Sequence, residues 1–396
     1  MTPTPVSHKS GRHFLQLPGP SNVPERVLRA ISRATIDHRG PEFQSLTKRL
    51  LTELRWVFRT EHPVLIYPSS ATGAWEAALT NTLSPGDRVL SFGQGFFAGK
   101  WATVAERFGL DVQRESWDAR RAVAADAVVD VLSADTHQAI RAVLVVHNET
   151  STGVTSDVEA IGAAMRESGH PALLFVDTVS SLGTTDFRHD DWGVDVTVSG
   201  SQKGLMLPPG LSFVAVGPRA LEAHRIAKLP RSYWDWDEQL TLNERGFFPY
   251  TPATNLLYGL DEALKMLRGE GLECVFARHA RWAEATRAAV ATWGLEPFAL
   301  HAVESSNALT AVIVPDGCDA EVLRATILER FDMSLGTGLG ELKGHVFRIG
   351  HLGDLNAVTL LGTLAGVEMG LVLAGVPHDG GGVAAAMEFL TREEGF

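Results

Sequence analysis

The sequence predicts an α/β protein: a large domain built on a mostly parallel, doubly wound sheet covered by helices, followed by a smaller α+β C-terminal domain. Three observations carry that expectation. Short, almost wholly apolar runs alternate with helix-patterned segments between residues 62 and 201, and apolar strands separated by helices form parallel sheets buried on both faces. The chain has 396 residues, 45% of them hydrophobic, enough for one large core and a second, smaller one. After a long helical pattern from Thr254 to about Gly269, strand-like and helical runs follow one another without that regular alternation.

Taken in order, residues 1–20 form an N-terminal tail or arm. Its start, "MTPTPVSHKSGRH", has charge and proline but no apolar stretch of signal-peptide length, so it reads as a poorly ordered tail without an export signal. The large domain, residues 21–265, alternates strand and helix: "HPVLIYP", "ATGAWEAALTNTL", "DRVLSFG", "KWATVAERFG", then "AIRAVLVVHN", "DVEAIGAAMRES", "ALLFVDTVSS" and "VDVTVSGS". In the small domain, residues 266–396, "LTAVIVP" and "HVFRIGH" are strand-like, while "DAEVLRATILERF" and "NAVTLLGTLAGVEMGLVLA" are helical. The apolar run Val358 to Val376 contains Glu368 and four glycines, and its apolar residues recur at helical spacing, which indicates a buried helix rather than a membrane span.

Composition narrows the function. A formal net charge of -12 opposes non-specific binding to nucleic acid or anionic lipid, so small molecules are the expected partners. The only two cysteines, Cys274 and Cys318, are far apart and in no CxxC pattern; they indicate no disulfide framework, no thiolate metal site and a reducing cytoplasm. Asn148-Glu149-Thr150 fits a glycosylation pattern, which is without consequence absent a secretory route. "GTGLGEL" from Gly336 lacks the strand-to-helix context of a nucleotide loop.

In a parallel sheet ligands sit beyond the carboxyl ends of the strands, and those ends are distinctive here. Ser69-Ser70-Ala71-Thr72-Gly73 follows "VLIYP" and opens a helix; its free N–H groups suit a phosphate, or serve as an ordinary N-cap. Asp177 ends "LLFVD", where a buried carboxylate needs a cation or donor unless it caps the next turn. Lys203, in "TVSGSQKGLMLPPG", follows the next strand. Together, a phosphate cradle, an acid and an amine specify a ligand with a phosphate, a basic ring nitrogen and a reactive aldehyde. Pyridoxal phosphate is such a ligand.

The motifs "LPGPSNVP", "PSSATGAWEAAL", "HNETSTGV", "FVDTVSSLG", "SGSQKGLMLPPG", "PYTP" and "FRIGHLGDLNA", in this order over about residues 14 to 390, resemble the class V aminotransferases of the alanine-glyoxylate and serine-glyoxylate branch. The resemblance implies the pyridoxal-phosphate-dependent transferase fold of type I, with a seven-stranded type of sheet. It implies that Lys203 is the Schiff-base lysine and also the general acid/base, that Asp177 pairs with the pyridinium nitrogen, and that Val179 packs on one ring face. Ser70, Ala71 and Thr72 would form the phosphate cup, joined by Gln202. Phe97 would stack on the other ring face, with Phe96 its neighbour, and Thr150 would bond the phenolic oxygen. Thr251 would reach the phosphate of a partner subunit, making a homodimer with shared sites; Phe248 stands where the family often has a tyrosine, and Tyr250 is nearby. Arg348 would clamp the substrate carboxylate, with Pro20, Ser21 and Asn22 approaching the same pocket. No metal is implied.

The branch transfers an amino group from a small amino acid to a 2-oxo acid in two half-reactions. A dicarboxylate donor would want a second cation, for which Arg39 and Arg231 are candidates outside the motifs. Small donors are therefore favoured, and "TIDHRGPEF", "NETSTGV" and "FRIGHLG" resemble the serine-glyoxylate branch more than the animal alanine-glyoxylate enzymes; that resemblance implies serine to glyoxylate, giving hydroxypyruvate and glycine, with aspartate or alanine as alternative donors. Cysteine desulfuration would need a nucleophilic Cys318 on a mobile loop, but "VPDGCDAEVL" reads as strand, turn and helix start, and Asp316 and Asp319 would raise the thiol pKa. A catalytically silent relative would have lost Lys203 or Asp177.

Overall fold

The computed structural model describes residues 11–392; the first ten residues of the tail or arm expected over residues 1–20 lie outside the described residues. The central sheet has seven strands in the order Val64–Tyr67, Ser212–Val216, Val196–Gly200, Leu173–Asp177, Ile140–Val146, Arg88–Phe92 and Asp111–Glu115. Ser212–Val216 runs antiparallel to both its neighbours, and the remaining pairings are parallel. Six carboxyl ends therefore share one edge of the sheet.

The alternation of side chains across these strands builds two cores. Val64, Ile66, Val143, Val145, Leu174, Val176, Phe213 and Ala215 face one layer of helices, including Pro41–Phe58, Val158–Ser168 and Thr254–Glu270. Leu65, Tyr67, Ala142, Leu144, Val146, Leu173, Phe175 and Val214 face the other, including Ala71–Thr82 and Phe96–Arg107. Period-two packing on both faces is why the strands read as continuous apolar runs. Each fully buried branched or aromatic side chain contributes roughly 1.5–3 kcal/mol relative to exposure.

The second sheet is five-stranded, in the order Phe14–Gln16, Met333–Thr337, Val346–Gly350, Leu309–Ile313 and Glu296–Pro297. Helices Leu272–Thr292, Ala320–Phe331, Ala357–Leu373 and Gly382–Thr391 pack around it. The expected boundary near residue 265 falls inside the helix Thr254–Glu270. Phe14–Gln16, within the expected N-terminal arm, pairs in parallel with Met333–Leu335. From there the chain crosses to the central sheet, where the Ser21 N–H donates to the Gln202 carbonyl at 2.9 Å. The arm thereby links the small-domain sheet to the turn that carries Lys203.

Candidate active site

A cavity of about 260 Å³ opens at the shared carboxyl edge of the central sheet, lined by nine of the expected cofactor residues: Ser70, Ala71 and Thr72, Phe97, Thr150, Asp177, Val179, Gln202 and Lys203. Asp177 ends its strand, and the others sit one to four residues beyond a strand or open the helix after one. Pro20 also lines it, with Gly19, Trp75, Val146, Asn148 and Pro209.

Local structure explains how Lys203 is presented. The strand Val196–Gly200 ends in a turn closed by Ser201: its N–H donates to Leu211, and its hydroxyl donates to the Pro208 carbonyl at 2.8 Å. Gly204 lets this turn press on the loop after Asp177, because a Cβ there would lie 2.8 Å from the Gly183 carbonyl carbon. Two residues on, Met206 takes a left-handed φ of 57° while buried, a conformation that survives only where surroundings enforce it. Lys203 is 7% exposed and its amine donates to the Pro18 carbonyl. Burial, helped by the positive charge of Arg348, pulls that amine down to about 7.

Asp177 is 4% exposed, and burial pushes its carboxyl up to about 7. Two donors hold it: the Val179 N–H at 2.7 Å and the Trp75 indole N–H at 2.8 Å. Sequence reasoning missed Trp75, although its place one turn after Ala71 on the same helix put it on the cavity side. Trp75 stacks on Trp101 at 5.7 Å, so its donor is fixed in place.

The Thr150 hydroxyl donates to Ser180 at 2.8 Å, and Asn148, also missed, donates to the same oxygen. Arg348 does not line the cavity. It lies behind Thr150, 7% exposed, donating from Nε to the Thr337 carbonyl and from Nη1 to the Thr150 carbonyl at 2.7 and 2.6 Å. These bonds use two of the five N–H groups of a guanidinium and leave Nη2 free to meet a carboxylate. The Ser21 hydroxyl donates to the Lys203 carbonyl and so supports the backbone that carries the amine, whereas the Asn22 amide donates to the Leu15 carbonyl within the arm. Thr251 is exposed and away from the cavity lining, as is Arg39.

Among the described residues one group has the spacing of metal ligands, His224, Asp235 and Asp237. Arg231 lies within it, bonded to Asp235 at 3.1 Å and to His224 at 3.3 Å, and a guanidinium there opposes a divalent cation. The same bonds commit Arg231 away from the cavity.

A family profile, Aminotransferase class-V, matches residues 13–339. The chain belongs to the class V aminotransferase family. It is 47% identical over 97% of its length to the serine–glyoxylate aminotransferase of Methylorubrum extorquens, covering 98% of that protein. It is 46% identical to the L-aspartate–glyoxylate aminotransferase of Paracoccus denitrificans, with 94% of each chain covered. Its fold superposes with a TM-score of 0.91 on the ureidoglycine–glyoxylate aminotransferase of Bacillus subtilis, at 27% identity, with 98% of this chain and 100% of that one covered. As in other class V aminotransferases, the cofactor is pyridoxal phosphate, and the cavity fits it. The helix Ala71–Thr82 begins without a side-chain cap, leaving N–H groups for a phosphate. The Gln202 amide oxygen is buried without a partner, and a flip of the amide offers N–H donors at the same place. Acid, amine and apolar walls complete the match.

Proposed function

We propose that this aminotransferase moves the amino group of serine to glyoxylate, producing hydroxypyruvate and glycine. The observation that carries the reading is that, among the described residues, Arg348 is the one candidate arginine beside the cavity with an uncommitted N–H edge. Arg348 presents its free edge from behind Thr150, Arg231 is bonded elsewhere, and Arg39 stands outside the cavity. A monocarboxylic donor is satisfied by that arrangement, whereas a second carboxylate would be buried unpaired. The relative named for serine supports the choice; the relative named for L-aspartate keeps aspartate as the second reading.

Once the incoming amino donor has displaced Lys203 from it, pyridoxal phosphate would supply an electron sink for the bonding pair released at the substrate α-carbon, leaving the Lys203 amine free. The protein does the rest. Arg348 orients the α-carboxylate, Asp177 holds the ring nitrogen protonated, and Phe97 and Val179 confine the ring. Ser70, Ala71, Thr72 and Gln202 would hold the phosphate, and Thr150 and Asn148 would bond the phenolic oxygen. The Lys203 amine, with its pKa lowered by burial, carries the proton away from the α-carbon and returns it on the far side of the transfer. Thr251 serves the phosphate of a second copy, so the working unit is a homodimer; Tyr233, exposed and stacked on Tyr250 at 4.6 Å, extends the same ledge. Two free cysteines and no helix long and apolar enough to cross a membrane among the described residues support a cytoplasmic enzyme, which cell fractionation would check.

The test mixes the cofactor-loaded enzyme with serine, alanine or aspartate separately and compares second-order rates of conversion to the aminated cofactor. Serine should lead by at least about tenfold, the order expected from one unpaired charged or polar group; an aspartate lead would overturn the serine reading.

A further inference from the structure

Glu149 is fully buried beside the cavity, and none of the roles above uses it. It follows Asn148 at the end of the strand region that carries Thr150. One carboxylate oxygen, Oε2, accepts from the backbone N–H groups of Phe97 and Ala98, both at 3.1 Å. These open the helix Phe96–Arg107, whose N-cap residue, Gly95, has no side chain to cap it. The other oxygen, Oε1, accepts from the Ser151 N–H at 3.0 Å and the Ser151 hydroxyl at 2.6 Å. That hydroxyl in turn accepts from the Phe96 N–H at 3.0 Å. Gly95 makes the approach possible, since a Cβ there would lie 2.7 Å from the Glu149 carboxyl carbon.

Three of the four donors to Glu149 are backbone N–H groups, which cannot reverse. Both oxygens must therefore accept, and the ionised form is the one these contacts are built for. Burial opposes the charge and raises the carboxyl above its ordinary range; the N-terminal end of the helix offsets part of that cost. The position of the charge has a direct consequence for the site. On one side it fixes the turn of helix that aims Phe97 into the cavity. On the other it fixes the turn whose Thr150 lines the cavity and whose carbonyl accepts from Arg348.

We propose that Glu149 is a positioning residue of the transamination site: one buried carboxylate holds the Phe97 wall and the Thr150–Arg348 turn in register across the cofactor pocket. This rests on the roles proposed above for Phe97, Thr150 and Arg348. A plain helix cap would govern stability alone. A positioning residue also governs cofactor retention, substrate capture and the ionisation of the lysine-linked chromophore, because its negative charge favours the protonated form of nearby nitrogen.

The test is Glu149→Gln in the cofactor-loaded enzyme. The amide keeps the shape but turns an N–H group toward an N–H donor on one side. The pH midpoint of the chromophore titration should fall, cofactor release on dilution should quicken about tenfold, and kcat/KM for the amino donor should drop about tenfold, mainly through KM, as for loss of a charged hydrogen-bond acceptor. Ser151→Ala keeps the carboxylate but removes one donor and the Phe96 contact; it should show smaller changes of the same sign, and it decides the matter if Glu149→Gln does not fold. A folded variant with wild-type midpoint, release rate and KM, altered only in melting temperature, would overturn the proposal. Midpoint and release are read without any amino acid, so they judge Glu149 separately from the choice of serine as donor.

Discussion

Lys203 and Asp177 owe their chemistry to burial more than to identity. In water an amine and a carboxylic acid ionise near ~10.4 and ~3.9; in this cavity each is drawn to about 7. The signs differ. Lys203 binds its proton less tightly in the folded chain, so the unfolded chain holds more protons between about 7 and the ordinary lysine range, and stability rises with pH across that window. Asp177 binds its proton more tightly when folded, so its contribution falls as pH rises from the ordinary aspartate range to about 7. A functional prediction follows from the lysine alone: only the neutral amine attacks an aldehyde. The rate at which cofactor-free enzyme captures pyridoxal phosphate should rise through a midpoint near pH 7 and level off above pH 8, measured by stopped-flow absorbance; a midpoint within a unit of ~10.4 would show an exposed, ordinary lysine. The sequence made these two residues legible because one ends an apolar strand and the other follows the next within three residues. It left Trp75 and Glu149 unread, because a tryptophan one turn into a helix and a glutamate in a polar turn look ordinary until the donors around them are located.

At the scale of elements, the site exists because strand ends converge. The quoted apolar runs announced five of the seven central strands; "LSFVAVG" was not among them, and since an apolar run carries no direction, nothing in it told that Ser212–Val216 returns antiparallel between Val64–Tyr67 and Val196–Gly200. The edge strand Asp111–Glu115, "DVQRE", was silent for another reason: its side chains are exposed or half-buried, so it carries no apolar signature. The turn after Val196–Gly200 supplies a test. Gly204→Ala forces a methyl group against Leu182 and Gly183, and overpacking of this kind costs about 1–3 kcal/mol. Thermal unfolding should show a clear drop in melting temperature together with weaker cofactor retention, since the displaced backbone carries Lys203. Wild-type melting and retention would mean that the contact between the two turns is not tight.

Across the whole molecule, two sheets cooperate through the N-terminal arm. Phe14–Gln16 completes the small-domain sheet, and four residues later the chain lines the cavity with Pro20 and braces Lys203 through Ser21. No periodicity in "FLQLPGPSN" signals a strand of three residues whose partner lies more than three hundred residues away. Family motifs located the arm near the site; its pairing emerged only with the fold. The proposed homodimer would use the exposed Thr251 and Tyr233, and light scattering should then give twice the chain mass; a monomer with full activity would remove the proposed role of Thr251.

The central claim is that this cavity binds pyridoxal phosphate covalently through Lys203. Borohydride reduction of the loaded enzyme, followed by proteolysis and peptide mass mapping, reads the attachment site directly. The account predicts the reduced cofactor on the peptide containing "SGSQKGLMLPPG", at Lys203; attachment at any other lysine, or none, would contradict it.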